Sequence, residues 1–240
     1  TENLVKTYLT DIRIRYEKKE NGGGAQTRNF GVSLAKRDFI VFLDSDDEAY
    51  PEWLETAYQY IRKDTGIVCM GAIRKLPDGT AIEEMPYEIC VYGKKTNVKF
   101  TAGSMFIRRS LYLASGGYDM KMPSGLQSQL GYTLLEYLDR TKLKIVSINR
   151  CLVQINVHTG QRVRTEWNTL TVDCLSFVNK FLPYFKRWDR KELSNNYTVI
   201  AYYNYRAKKR KESVIYLIKA IRYRPQRVSN YVRLVKYSLL

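Results

Sequence analysis

The chain has 240 residues, 45% of them hydrophobic and 27% charged, enough to bury a sizeable core as one domain with appendages. One histidine and four widely spaced cysteines, with no C-x-x-C, exclude a zinc site of the usual spacing and favour a reducing cytosol over secretion. The net charge of +16 is unevenly placed: residues 161–240 carry 18 Lys/Arg against 5 Asp/Glu, residues 1–160 carry 22 against 19, and the basic third suits an anionic partner.

No apolar run approaches the ~18 residues of a membrane span, and no signal peptide opens the chain. Residues 1–9 suit the end of a helix, and Ile12 to Tyr16 alternate as a short strand. Gly22 to Gly24 make a turn into a helix over 25–36, without completing G-x-G-x-x-G because Thr27 holds the last glycine position. Arg28 and Asn29 fall in that helix's first turn. A cation there opposes the helix dipole and so has an anion or a base to hold.

Phe39 to Leu43 do not alternate and read as a strand buried on both faces, with Asp44-Ser-Asp-Asp47 directly after it. In open α/β sheets ligands sit outside the carboxyl ends of strands, so these acids face a site. Asp44 and Asp46, two apart in extended chain, point the same way and can share one hard cation such as Mg2+ or Mn2+. A calcium loop fails because Ala49 stands where that loop needs Gly and a strand precedes it. An aspartyl-phosphate phosphatase normally has Thr or Val where Glu48 stands.

Pro51 opens a helix to about Lys63, its inner face formed by Trp53, Leu54, Ala57, Tyr58 and Ile61, and Gly66 stops it. Ile67 to Ile73 read as a second buried strand and Pro77 to Thr80 as a turn. Residues 100–108 read as a strand in which Gly103 marks close backbone approach by a ligand. After Gly116-Gly-Tyr-Asp119 the segment 122–132 leads into an amphipathic helix, with Glu136 on its outward side. Leu143 to Ile148 and Leu152 to Val157 read as the last strands, ending at His158-Thr-Gly-Gln161. Helices follow at about 167–182, 194–209, 212–223 and 226–238, punctuated by Pro183 and Pro225, with tyrosines interleaved among basic residues.

Asn21-Gly-Gly-x-x-x-x-Arg-Asn-x-Gly, the Phe-Ile-Val-Phe-Leu-Asp-Ser-Asp-Asp strand end, Arg108-Arg109 and Gly116-Gly-Tyr-Asp119 come in the order found in family 2 glycosyltransferases. The chain resembles that family over about residues 10–160. The resemblance implies an α/β GT-A fold, a three-layer α/β/α sandwich, with the family's first strands and uracil-contacting acid preceding Thr1. It divides the chain into a partial GT-A domain, 1–160, and a basic helical extension, 161–240. It further implies Asp46 as metal ligand, Asp44 as metal or ribose contact, Arg28 with Asn29 at the nucleotide, Gly103 near the ligand, and His158 near the metal and diphosphate.

The implied activity is an inverting, Mn2+- or Mg2+-dependent transfer of sugar from a nucleotide-sugar, a UDP-sugar, to a glycan or polyprenyl-linked acceptor in surface polysaccharide synthesis. It belongs at the cytoplasmic face of the cell membrane, held peripherally by the basic extension at about 1 kcal/mol per basic side chain near anionic lipid. The family's general base is an Asp before the amphipathic helix. Here Ser128 stands in its place, and a neutral hydroxyl takes no proton unaided, which makes Asp119 the substitute. Two other readings compete: a truncated or non-catalytic member that binds nucleotide or glycan, and a basic nucleic-acid-binding protein. The latter has no recognised motif and leaves the acids unexplained.

Overall fold

A computed structural model describes residues 2–122, 125–158 and 166–239. In chain order the elements are α1 (Glu2–Lys6), α2 (Gly23–Leu34), β1 (Phe39–Ile40), β2 (Glu48–Ala49), α3 (Trp53–Gln59), β3 (Thr65–Lys75), β4 (Ala81–Glu84), β5 (Tyr87–Val91), β6 (Lys94–Val98), β7 (Met105–Arg108), α4 (Arg109–Ala114), α5 (Leu126–Thr141) and β8 (Lys144–Asn156). Four helices complete the chain: α6 (Trp167–Trp188), α7 (Arg190–Arg206), α8 (Arg210–Tyr223) and α9 (Val228–Leu239).

The main sheet runs β1-β7-β3-β8-β2, with β4 beside β3, while β5 and β6 form a separate hairpin. Its centre is the parallel β3–β8 pair; the other pairings are antiparallel. Successive residues of β3 supply opposite faces, as strand geometry requires. Ile67 and Cys69 join α2, α4 and α5 residues such as Val32, Leu111, Leu130 and Leu135. Val68 and Met70 pack with Trp53 and Ala57 of α3. Both faces of the sheet are therefore covered, which explains why β3 reads as an unbroken apolar run. The expected three-layer arrangement is present.

Several local expectations change. Ile12 to Tyr16 form no strand; Ile12 is 95% exposed, and among the described residues no neighbouring strand supplies the hydrogen bonds that alternation alone cannot. The strand expected over Phe39–Leu43 is ladder-paired only at Phe39 and Ile40, because β1 is a sheet edge that meets β7 on one side. Leu43 is exposed. In the shorter α3 the buried positions are Trp53, Thr56 and Ala57, whereas Leu54 and Tyr58 face outward. About two turns of helix cover too narrow an arc of the sheet to bury all five expected residues.

The two last strands are one, β8, whose register against β3 shifts between Met70↔Ile148 and Gly71↔Cys151, a bulge that absorbs the exposed Asn149 and Arg150. Pro183 lies inside α6 rather than ending it. Phe181 and Phe185, on either side of that proline, pack on Tyr132 of α5 with ring centroids 5.6 and 5.0 Å away, and this packing outweighs the lost backbone hydrogen bond. The helix after it begins at Arg190, four residues before its expected start, because Asp189 caps it by accepting from the Glu192 N–H.

Residues Phe177, Phe181, Phe185, Leu193, Tyr197 and Ile200 belong to the same buried cluster as the sheet and α5. The C-terminal helices thus share a core with the α/β part. Most interleaved tyrosines hold helices to one another. Tyr205 stacks on Tyr237 at 4.0 Å, and Tyr197 meets Tyr216 and Tyr223. No helix among the described residues is long and apolar enough to cross a membrane.

Candidate metal and nucleotide site

The strand-end acids converge by a turn rather than by extended alternation. The Asp44 carbonyl accepts from the Asp47 N–H at 3.0 Å, folding the run back on itself. One carboxylate oxygen from each of Asp44, Asp46 and Asp47 then lies within 4.8 Å of the other two. Extended chain pairs only every second residue and so leaves Asp47 out; the turn brings it in. Allowing a turn after the strand would have found it.

Asn156, at the end of β8, fixes this turn. Its backbone N–H donates to Asp47 Oδ1 at 3.1 Å and its Nδ2 donates to the Asp46 carbonyl at 2.8 Å. Burial, and then the neighbouring acids, push the Asp47 carboxyl above its ordinary range. Three hard oxygen donors in mutual repulsion fit a small divalent cation, which would offset the like charge. His158 brings Nε2 to 3.6 Å from Asp46 Oδ2, both side chains about half exposed. Thr159, Gly160 and Gln161, which follow it, lie outside the described residues.

Arg28 reaches this cluster from the first turns of α2, its guanidinium donating to Asp44 Oδ1 and lying over the Tyr118 ring at 5.5 Å. Asn29 has a different duty. Its Oδ1 accepts from the Tyr118 N–H at 3.0 Å and from the Tyr112 hydroxyl, and its Nδ2 donates to the Tyr118 carbonyl at 2.9 Å. Two sequence motifs 89 residues apart are thereby joined. Gly117 has φ +69°, and a Cβ there would stand 2.7 Å from Asn29 Oδ1 and 2.8 Å from the Tyr112 ring. No other residue fits that closure.

Gly103 lies next to the same strand end. Its N–H donates to the Phe42 carbonyl and its carbonyl accepts from Trp53 Nε1 at 2.8 Å. It has φ +75°, and the atoms a Cβ would meet are Val153 at 2.8 Å and Leu43 at 3.3 Å. The close approach that this glycine permits is thus made by the protein's own side chains.

Asp119, after the Gly-Gly-Tyr segment, is held at both carboxylate oxygens: Lys180 of α6 donates to Oδ2 at 2.9 Å and the Lys121 N–H to Oδ1 at 3.0 Å. Lys180 first, then that N–H, holds its pKa below the usual carboxylate range. Ser128 stands in the first turn of α5, where no side chain caps the helix among the described residues. Tyr118 donates to Gln127 Oε1 beside it, so the Arg28 side and the Ser128 side meet across one tyrosine. Glu136 faces outward and pairs with Arg140. Pro123 and Ser124 lie outside the described residues.

Residues 1–116 match the model of the family described as Glycosyl transferase family 2. The glycosyltransferase GlyG of Streptococcus pneumoniae is 39% identical over 64 residues, 26% of this chain and 21% of that protein. The poly(ribitol-phosphate) β-N-acetylglucosaminyltransferase TarP of Staphylococcus aureus is 28% identical over 88 residues, 37% of this chain and 27% of that protein. The hyaluronan synthase of Pasteurella multocida is 36% identical over 83 residues, 34% of this chain and 8% of that protein. The aligned segments therefore span about a quarter or less of these relatives. The crystal structure of S. aureus TarS 1-349 superposes with a TM-score of 0.53 at 17% identity, covering 95% of this chain and 69% of that one, and shows the GT-A fold together with the helical C-terminal region.

Proposed function

We propose, from the match of residues 1–116 to the family 2 glycosyltransferases, that the protein transfers a sugar from a UDP-sugar to a glycan or lipid-linked acceptor with inversion, in polysaccharide synthesis. The observation that carries this reading is the convergence of Arg28, Asp44, Asp46 and Asp47 on one strand-end turn. Asp44, Asp46 and Asp47 would hold a Mn2+ or Mg2+ ion, with His158 beside them. When bound, such an ion supplies neutralisation of charge on a leaving diphosphate.

The chain's own residues do the rest. Asn156 fixes the acid turn, Arg28 presents a guanidinium to the anionic donor, and Asn29 with Gly117 holds Tyr118 beneath that guanidinium. Asp119 faces the acceptor side as an ionised carboxylate. We assign it the proton-accepting role that Ser128 cannot fill.

The basic helices α6 to α9 seat the protein on the anionic inner face of the membrane. On α9, Val228, Val232 and Val235 are exposed at helical spacing, with Arg224, Arg227 and Arg233 nearby in the sequence. The use of Tyr197, Tyr205 and Tyr237 in helix packing removes them as stacking platforms and disfavours the nucleic-acid reading. Calorimetric titration with UDP and Mn2+ tests the donor site: wild type should bind UDP only with the metal, and Asp46→Ala should not bind. Equal UDP binding by both proteins would refute the assignment.

A further inference from the structure

β2 is only two residues long and lies at the sheet edge, yet it carries the acid that follows the Asp44–Asp47 turn. Its register sets Glu48 opposite Gln154 of β8. Gln154, Asn156 and His158 occupy alternate positions at the end of β8 and just beyond it, which puts them on one side of the chain. All three reach the acid turn or the residue after it. Gln154 Nε2 donates to Glu48 Oε1 at 3.0 Å. Asn156 Nδ2 donates to the same Oε1 at 3.0 Å and to the Asp46 carbonyl at 2.8 Å. His158 stands beside Asp46.

The Asn156 amide is engaged at both ends. Its Nδ2 serves two oxygens, its Oδ1 accepts from Gln154 Nε2 at 3.0 Å, and its backbone N–H holds Asp47 Oδ1 at 3.1 Å. Turning the amide over would set Oδ1 against two other oxygens, so the contacts themselves fix its orientation. Glu48 is thereby committed to β8. One of its carboxylate oxygens takes both amide donors, while the carboxylates that meet at the turn are those of Asp44, Asp46 and Asp47. A single nitrogen separates Glu48 from the Asp46 carbonyl, so this acid is near the turn and held off it.

How many carboxylates face a cation decides which cation is preferred. A small ion such as Mg2+ keeps several waters and shares the rest of its shell with phosphate, so few protein carboxylates suffice. Ca2+ is larger, takes more oxygens in a flexible geometry, and binds more tightly as the charge of its ligands rises. A freed Glu48 would bring one more carboxylate to the turn. We propose that Gln154 and Asn156 set the ion preference of the acid turn by keeping Glu48 out of it, favouring Mn2+ or Mg2+ over Ca2+. The inference rests on the metal reading of Asp44, Asp46 and Asp47 and concerns residues outside that set.

Electron paramagnetic resonance of Mn2+ with the full chain, followed by displacement with Ca2+, tests this without any turnover. Wild type should release Mn2+ only to a large excess of Ca2+. Gln154→Ala combined with Asn156→Ala keeps the backbone N–H on Asp47. It should weaken Mn2+ about tenfold to a hundredfold, as lost hydrogen-bond partners of a metal site do, while Ca2+ affinity holds or rises. A merely structural role predicts equal loss for both ions. Adding Glu48→Gln to that pair should restore the preference for Mn2+ without restoring its affinity, and Glu48→Gln alone should leave both ions unchanged. Gln154→Ala alone, in which Asn156 still holds the turn, should shift the preference the same way by less, and it decides the matter if the double variant fails to fold. An unchanged preference overturns the proposal. So does weaker Mn2+ binding in Glu48→Gln, which would make Glu48 a ligand already. Wild type that binds Mn2+ with no shift in any variant leaves the donor reading standing, whereas wild type that binds no Mn2+ overturns both.

Discussion

Arg28 of α2 and Asp44 at the end of the first strand form an ion pair across 16 residues of sequence, with the guanidinium side chain only 20% exposed. The pair has two consequences. Arg28 is pinned where an anionic ligand would arrive, and Asp44 is partly neutralised while no cation occupies the acid turn. A donor must therefore draw Arg28, and a metal Asp44, out of this pair. Arg28→Ala should weaken UDP binding about tenfold to a hundredfold, as expected for a lost charge-assisted contact. The same variant should bind Mn2+ alone no more weakly than wild type, because Asp44 loses its rival partner. Manganese titration followed by electron paramagnetic resonance reads the second effect. A parallel loss of both affinities would mean that Arg28 only supports the fold.

Glu84 links β4 to the rest of the sheet through Arg74, at 2.6 and 3.0 Å, and the buried Lys99. Arg74 chiefly, then Lys99, holds its carboxyl down at about 2 against an ordinary 4.5. A carboxylate whose pKa falls on folding stabilises the protein above its unfolded pKa, and that contribution drains away as pH drops from about 4.5 toward about 2. Glu84→Gln leaves two cations facing a neutral amide and should cost about 1–2 kcal/mol at neutral pH, since the pair is partly solvated. Urea unfolding should show the gap between variant and wild type closing across that acid window. A gap constant with pH would assign the loss to packing.

Asp119 is ionised and doubly held, so as a base it is positioned but weak. Asp119→Asn should reduce sugar transfer by roughly 10²–10⁴-fold with UDP affinity unchanged. Lys180→Ala releases the strongest influence on the Asp119 pKa and should move the acid limb of the kcat/KM profile to higher pH. Ser128→Asp restores a carboxylate in the first turn of α5 and should raise transfer if the base is what limits it. Full activity in Asp119→Asn would place proton removal elsewhere.

Residues 161–240 should carry the protein to anionic vesicles. Sedimentation with phosphatidylserine liposomes should fall as salt rises, because exposed charges are screened within about 10 Å at 0.1 M. Replacing Val228, Val232 and Val235 by Ser should weaken binding at high salt most, where the apolar contribution dominates. Preference for RNA over liposomes would revive the nucleic-acid reading.

The sequence alone determined the elements whose signal is local and redundant. The apolar run of β3 fixes a strand covered on both faces, because neither face alternates. The order of the Arg28-Asn29, Asp44-to-Asp47 and Gly116-to-Asp119 segments carried the resemblance, and with it the fold. What only tertiary structure decided were the relations between distant segments. Asp47 joins the acids because a turn, not extended chain, follows Leu43, and Asn156 from another strand fixes that turn. Asn29 serves Tyr118 and Tyr112, which no spacing within α2 could show. Pro183 continues a helix because aromatic packing on Tyr132 exceeds the cost of one missing hydrogen bond. Lys180 was invisible as a site residue, since a helix face acquires meaning only from what it packs against. Local propensity reaches a few residues along the chain, whereas a site is made of contacts that cross it.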